Sequence, residues 1–122
     1  MTLEQFPTRG EKRADHLRFI RLLPCVCCGH VPSEAAHIRM NRPEYGRLQA
    51  IGQKPSDEFT LPLCAEHHRT APTSQHNIGE ENFWRRHGID PHKLAALLFA
   101  CSGDLERGES ISRQARRLAA WG

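Results

Sequence analysis

Pro24-Cys25-Val26-Cys27-Cys28-Gly29, answered further along the chain by Leu63-Cys64-Ala65-Glu66-His67-His68, is the pair of stretches on which the fold turns. The first contains a Cys-x-x-Cys followed by glycine, and Gly29 permits the tight backbone turn that aims two thiolates at one ion. The second supplies Cys64-x-x-His67. Together Cys25, Cys28, Cys64 and His67 form a Cys3His set, which suits structural Zn2+ because thiolate and imidazole are borderline-soft ligands. Four protein ligands leave no position for substrate. The competing reading is a redox cysteine pair with an unrelated Cys and His, and two half-sites at ligand spacing weigh against it. Cys27 stands as an alternative to Cys25 or Cys28, although only the pair at 25 and 28 has the two-residue gap. His30 is a further alternative ligand. Cys27 and Cys101 otherwise read as small buried hydrophobes.

Working outward, Thr8 and Glu11 have capping-box spacing, and a helix is predicted from Glu11 to Leu23 with Leu17, Ile20 and Leu23 inward. Pro24 stops it. Ser33 to Ile38 and Phe59 to Leu63 are short enough for strands, the latter alternating in part. Arg39 to Ser56 holds two Pro, two Gly and three Arg and reads as an irregular loop. Cys64 to Thr70 suits one or two helical turns, ended by Pro72. Thr73 to Asn77 reads as a polar loop and Glu80 to His87 as a helix. Asp90-Pro91 is an N-cap acid followed by proline, opening a helix with Leu94, Leu97, Leu98 and Cys101 inward. Ser102-Gly103 ends that helix. The last helix is predicted from Ser110 to Trp121, with Ile111, Ala115, Leu118 and Ala119 on one side. Three segments of a single domain follow: a leader and helix over 1–23, a zinc-knuckle core over 24–90, and C-terminal helices over 91–122.

The chain has 122 residues, of which 39% are hydrophobic and 25% charged, so it is neither fully disordered nor large enough for more than one modest core. A loop-rich centre of this size generally requires a staple, and bound metal supplies one. The longest apolar run, Leu94 to Cys101, is too short for a membrane span. No secretory signal is read at the N-terminus, so a soluble, cytoplasmic protein is expected. Of 17 cationic residues, 14 are Arg, whose planar fork suits phosphate. A pI near 8.8 leans towards nucleic acid. Eight His and five Cys point to metal rather than to disulfides.

His68 directly follows the proposed ligand His67. Adjacent helical residues point about 100° apart, so His68 faces away from the zinc and towards some other task. His37, ending Ala35-Ala36-His37-Ile38, and His76, in Gln75-His76-Asn77, are candidates to converge with it on one pocket.

These residues resemble the zinc-containing HNH endonucleases. Leu63-Cys64-Ala65-Glu66-His67-His68 is similar to the family's Leu-Cys-x-x-Cys-His segment, with His67 in place of the second Cys. Ala36-His37-Ile38 is similar to its Asp-His-Ile strand, and Cys25-x-x-Cys28 to its first knuckle. A closer similarity is to phage and prophage nucleases of the recombination-enhancement, recombinase-dependent kind. It is carried by Leu61-Pro62-Leu63-Cys64, His67-His68 and His76, with Lys54-Pro55-Ser56-Asp57 similar to small prophage nucleases. About residues 24 to 90 are covered.

The resemblance implies an α+β fold, a small zinc-stapled ββα-metal (His-Me finger) core flanked by helices. It implies His37 as general base and His68 as ligand to a catalytic divalent ion, Mg2+ or alternatively Mn2+, Ni2+ or Zn2+. Ala36 stands where the family has an ion-holding Asp or His, and Phe59 stands at the spacing of its middle Asn. His76 as a further ligand and Asp57 as ligand or orienting group are then expected to complete the site. DNA is the implied partner, with a recombinase filament as a second.

Arg39, Arg42, Arg47 and Lys54, in the loop after His37, would position the DNA backbone rather than read bases. Arg113, Arg116 and Arg117 on the last helix read as a solvated face. Phe83-Trp84 reads as core, and His16, His30, His87 and His92 as unassigned surface residues. Two functions are carried forward: a metal-dependent DNA endonuclease of phage or prophage origin acting in recombination or DNA processing, and a non-catalytic zinc-ribbon-like module that binds nucleic acid or protein.

Overall fold

Pro24 does end the first helix. In a computed structural model, which describes residues 13–40 and 56–121 and side chains through Arg117, α1 spans Ala14–Arg21. The chain then turns through the cysteine knuckle into β1 (Glu34–His37), which pairs antiparallel with β2 (Thr60–Leu63). Glu34 lies opposite Leu63 and His37 opposite Thr60. A π-helical turn, Glu66–Thr70, follows β2 directly. Four helices complete the chain: α2 (Gln75–Ile78), α3 (Glu80–His87), α4 (Pro91–Ala100) and α5 (Leu105–Trp121). The architecture is mixed, helices around one small two-stranded sheet. Among the described residues no helix is long and apolar enough to cross a membrane.

Local chemistry explains most boundaries. Asp90 accepts from the Lys93 N–H at 3.3 Å with Pro91 at the first helical position, the predicted start of α4. Gly88 closes α3 in the left-handed region, φ 65°. Two expectations need correction. Ser74 caps α2 by accepting from the Asn77 N–H at 3.2 Å, so Gln75 to Asn77 are helical rather than loop. Asp104 likewise accepts from Arg107 N–H at 3.1 Å and starts α5 at Leu105, well before Ser110.

Gly108 within α5 is a packing requirement. A Cβ there would stand 2.8 Å from Phe19 Cζ and 2.9 Å from a Leu23 methyl, so glycine lets α5 press its backbone onto α1.

The core gathers Phe19, Ile20 and Leu23 of the α1 segment, Val26 of the knuckle, Ala36 and Ile38, Leu61 and Leu63, Phe83 and Trp84, and Leu94, Ala95 and Leu98. β2 is buried along its whole length, not alternately, because α1 and α4 both pack on it. Leu97, predicted inward, is 47% exposed. Phe19, not Leu17, joins Ile20 in the core. His16 and His92 are buried rather than superficial: His16 Nδ1 lies 2.8 Å from Ser102 Oγ, and His92 Nε2 donates to the Met40 carbonyl at 2.8 Å.

Candidate functional site

The knuckle is shaped by its own backbone. Gly29, φ 79°, lets its N–H reach the Cys25 carbonyl at 2.8 Å, while the Cys25 N–H returns to His30 at 3.0 Å. Val26 N–H ties the turn to the Pro62 carbonyl of β2 at 3.0 Å. This hydrogen bond places the first half-site against the second, because Cys64 is the residue after β2. The ligand atoms of Cys25, Cys28, Cys64 and His67 all lie within 4.8 Å of one another. Cys28 Sγ is 3.7 Å from Cys64 Sγ, and His67 Nδ1 is 3.2 Å from Cys64 Sγ and 3.9 Å from Cys25 Sγ. Zinc bond lengths of ~2.3 Å to sulfur and ~2.0 Å to nitrogen give tetrahedral edges of about 3.8 Å and 3.5 Å. The set therefore fits a metal ion such as zinc. Cys27 and His30 stand outside it.

The thiols of the knuckle are perturbed in opposite directions. The Cys27 side chain, hydrogen-bonded to Cys25, is the main reason the Cys25 thiol is pulled down to about 4. Burial pushes Cys28 up to about 12, and Cys27 is also pushed up, first by that hydrogen bond and then by burial. His67 is walled by Phe83 and His87, with ring centroids at 6.3 and 5.4 Å. Burial, then the His67 charge, lowers the His87 pKa.

The last helix closes over the knuckle. Arg116 Nη1 donates to the Cys25 carbonyl at 3.0 Å and to Ser112 Oγ at 2.9 Å, while Ser112 Oγ–H donates to the Pro24 carbonyl at 3.1 Å. Arg116 is therefore no part of a solvated face, although Arg113 and Arg117 are exposed. The guanidinium lies where a Cβ at Gly29 would meet it at 3.2 Å.

The π-helical turn sends its neighbouring histidines apart. His67 faces the cysteines, whereas His68 Nδ1 sits 2.7 Å from Glu34 Oε1 on β1. Arg69 holds the same carboxylate through Nε at 3.0 Å and Nη2 at 2.7 Å, and is the main reason Glu34 is pulled down to about 2. His37, at the end of β1, has Nε2 2.8 Å from Asp57 Oδ1. The other Asp57 oxygen accepts the Arg13 N–H at 2.8 Å. Burial works upward on the Asp57 carboxyl, but its bonds to His37 and Arg13 outweigh it and the pKa is lowered.

His37, His68 and His76 share the wall of one open cleft of about 450 Å³ with Arg39, Gln75 and Glu80. They are not drawn into a second close cluster: among the described residues the Cys3His set is the one group of three or more Cys, His, Asp or Glu gathered within 4.8 Å. Arg39 is exposed on the cleft, and its N–H donates to both Glu80 oxygens at 2.8 and 2.9 Å. Arg42, Arg47 and Lys54 lie outside the described residues. Glu34, Gln75, Glu80 and Arg116 had no sequence signal, because each takes its place through partners remote in the chain.

A family model described as "Protein of unknown function (DUF968)" matches residues 7–102. The Escherichia coli (strain K12) protein described as "Uncharacterized protein YdfU" is 34% identical over 58 residues, which are 48% of this chain and 15% of that protein. The match thus spans a small part of that relative's length. No solved structure matches the chain. With most of its length covered by the family model, knuckle, sheet and histidine cleft included, the chain belongs to the DUF968 family.

Proposed function

We propose that this protein is a metal-dependent DNA endonuclease of the HNH type, in which the two strands and the π-helical turn serve as the ββα-metal core. One observation carries the reading: His37, hydrogen-bonded to Asp57, faces the same cleft as His68 and His76, beside the Cys3His centre. Phosphodiester hydrolysis requires a deprotonated water, neutralised charge on phosphorus and a stabilised leaving oxygen. With Asp57 accepting from Nε2–H, His37 keeps a lone pair on Nδ1, the tautomer a general base requires. Asp57 also stabilises the imidazolium formed when that proton is taken.

His68 and His76 offer imidazole donors to a catalytic cation in this reading. Glu34 accepts from His68 Nδ1–H and leaves Nε2 as the ligating nitrogen, the carboxylate–histidine arrangement that orients metal ligands. His68 and His76 would hold the ion, whether Mg2+, Mn2+, Ni2+ or Zn2+; imidazole favours the transition metals. Bound there, it would supply Lewis acidity to the phosphate and the leaving oxygen. Two protein ligands suffice where water and substrate phosphate complete the shell. Arg39 would fix the backbone of the bound strand.

The test is nicking of supercoiled plasmid by the zinc-loaded chain with Mg2+, Mn2+ or Ni2+. Wild type should nick, and His37→Ala should keep its zinc, bind DNA and lose roughly 10²–10⁴-fold in rate. No nicking with any of the three ions, in a protein that still binds DNA, would leave the non-catalytic zinc module as the better reading.

A further inference from the structure

The sheet stops steering the chain one residue after β1. Ile38 N–H donates to the Phe59 carbonyl at 2.8 Å, and beyond it the backbone is held by helices instead. Arg39 N–H donates to Glu80 Oε1 at 2.8 Å and Oε2 at 2.9 Å, and Met40 N–H donates to the same Oε1 at 3.2 Å. The Met40 carbonyl is taken in turn by Nε2–H of His92, a wholly buried ring, at 2.8 Å. Glu80 of α3 and His92 of α4 thus clasp two consecutive residues.

What the clasp presents is Arg39. Its side chain is exposed and lines the histidine cleft beside His37, His68 and His76, whereas Met40 packs against the core. On charge alone, Glu80 is out of place there. A carboxylate on the wall of a cleft that receives phosphate repels its ligand. A helix N-terminus favours an acid in its first turn, but Glu81 meets that need as well, with its carboxylate 3.9 Å from Arg85. The geometry gives Glu80 a different task. Carboxylate bonds to backbone N–H groups are charge-assisted and stronger than neutral ones, so they fix the direction in which the chain leaves the sheet.

We propose that Glu80 is a positioning residue for the substrate backbone. By gripping the Arg39 and Met40 N–H groups, it aims the Arg39 guanidinium at one phosphate of the strand in the histidine cleft. The inference rests on the DNA reading of that cleft and deepens it. An acid beside the phosphate path strengthens binding, because the cation it places outweighs the charge it brings.

The test measures binding of a short DNA duplex, at successive salt concentrations, to the zinc-loaded His37→Ala protein with and without a further substitution. Glu80→Ala should weaken binding roughly tenfold and lower the log–log salt slope by about one, as Arg39→Ala does. The two together should bind no more weakly than Arg39→Ala alone, because Glu80 acts through Arg39. Glu80→Gln should restore most of the affinity, since its amide oxygen can still accept from both N–H groups. If Glu80→Ala does not hold zinc, Glu80→Asp, which keeps the charge on a shorter arm, should lower the slope in its place. Glu81→Ala should leave the slope unchanged. Binding that tightens on Glu80→Ala, a slope that holds, penalties that multiply in the double variant, or an equal loss from Glu81→Ala overturns the clasp. Plasmid nicking by the protein with His37 intact is read separately. Tighter binding by Glu80→Ala with nicking intact removes the clasp alone, and the expected slopes without nicking remove the nuclease reading alone.

Discussion

Asp57 holds His37 with one carboxylate oxygen and the Arg13 N–H at the start of α1 with the other. Replacing it with Asn keeps the shape but not the obligate acceptor, so His37 can settle in the wrong tautomer. In the plasmid assay, Asp57→Asn should lower the cleavage rate at saturating DNA by roughly 10²-fold or more and leave DNA affinity nearly unchanged. An unchanged rate would remove Asp57 from the chemistry. His16 raises a different question at the same scale. Its ring is buried between Phe19 and Phe99, Nε2 has no partner, and burial, then the Arg13 charge, lowers its pKa to about 4 against a raising influence from Asp57. The fold thus favours neutral His16. That stabilisation is complete above pH 6.5 and is lost as pH falls towards 4, because the unfolded chain takes the proton first. Wild type should lose up to about 3 kcal/mol more than His16→Gln over that window, read as chemical-denaturation midpoints at successive pH values. Parallel curves for the two proteins would contradict the assignment.

At the scale of elements, α5 differs most from its appearance in sequence. Arg113, Arg116 and Arg117 look alike as a cationic helix face, yet Arg116 reaches under the knuckle to the Cys25 carbonyl while its neighbours stay exposed. A charge-assisted bond to a backbone carbonyl that shapes the metal turn matters more than a solvated guanidinium. Arg116→Ala should cost about 1–2 kcal/mol, and Arg113→Ala less than about 0.5 kcal/mol, in thermal unfolding of the zinc-loaded protein. Equal losses would mean that α5 does not clasp the knuckle. The helix starts show a related contrast. Asp90-Pro91 announces α4 because cap and proline are adjacent in sequence. α2 is only four residues long, too short to carry a periodic pattern, and rests on the Ser74 cap.

For the whole molecule, the Cys3His cluster is placed to act as a metal staple, since it joins the turn after α1 to the end of β2. Metal binding and folding are coupled wherever ligands from distant segments meet only in the folded state. Cys64→Ser and His67→Ala should each lose zinc, counted by elemental analysis, and lose the cooperative unfolding transition. His68→Ala should keep both, because its Nδ1 belongs to Glu34. The reverse pattern for the two histidines would exchange their roles. Ligand spacing, proline stops and the Asp90 cap are local, and for that reason the metal set, both strands and most helices were legible in the amino-acid order alone. So was the separation of His67 from His68. The pairing of His37 with Asp57, of His68 with Glu34 and of Arg116 with the knuckle was decided by tertiary structure alone. Each joins residues far apart in the chain, and a side chain's partner across that distance is set by strand register and helix packing, which no local pattern encodes.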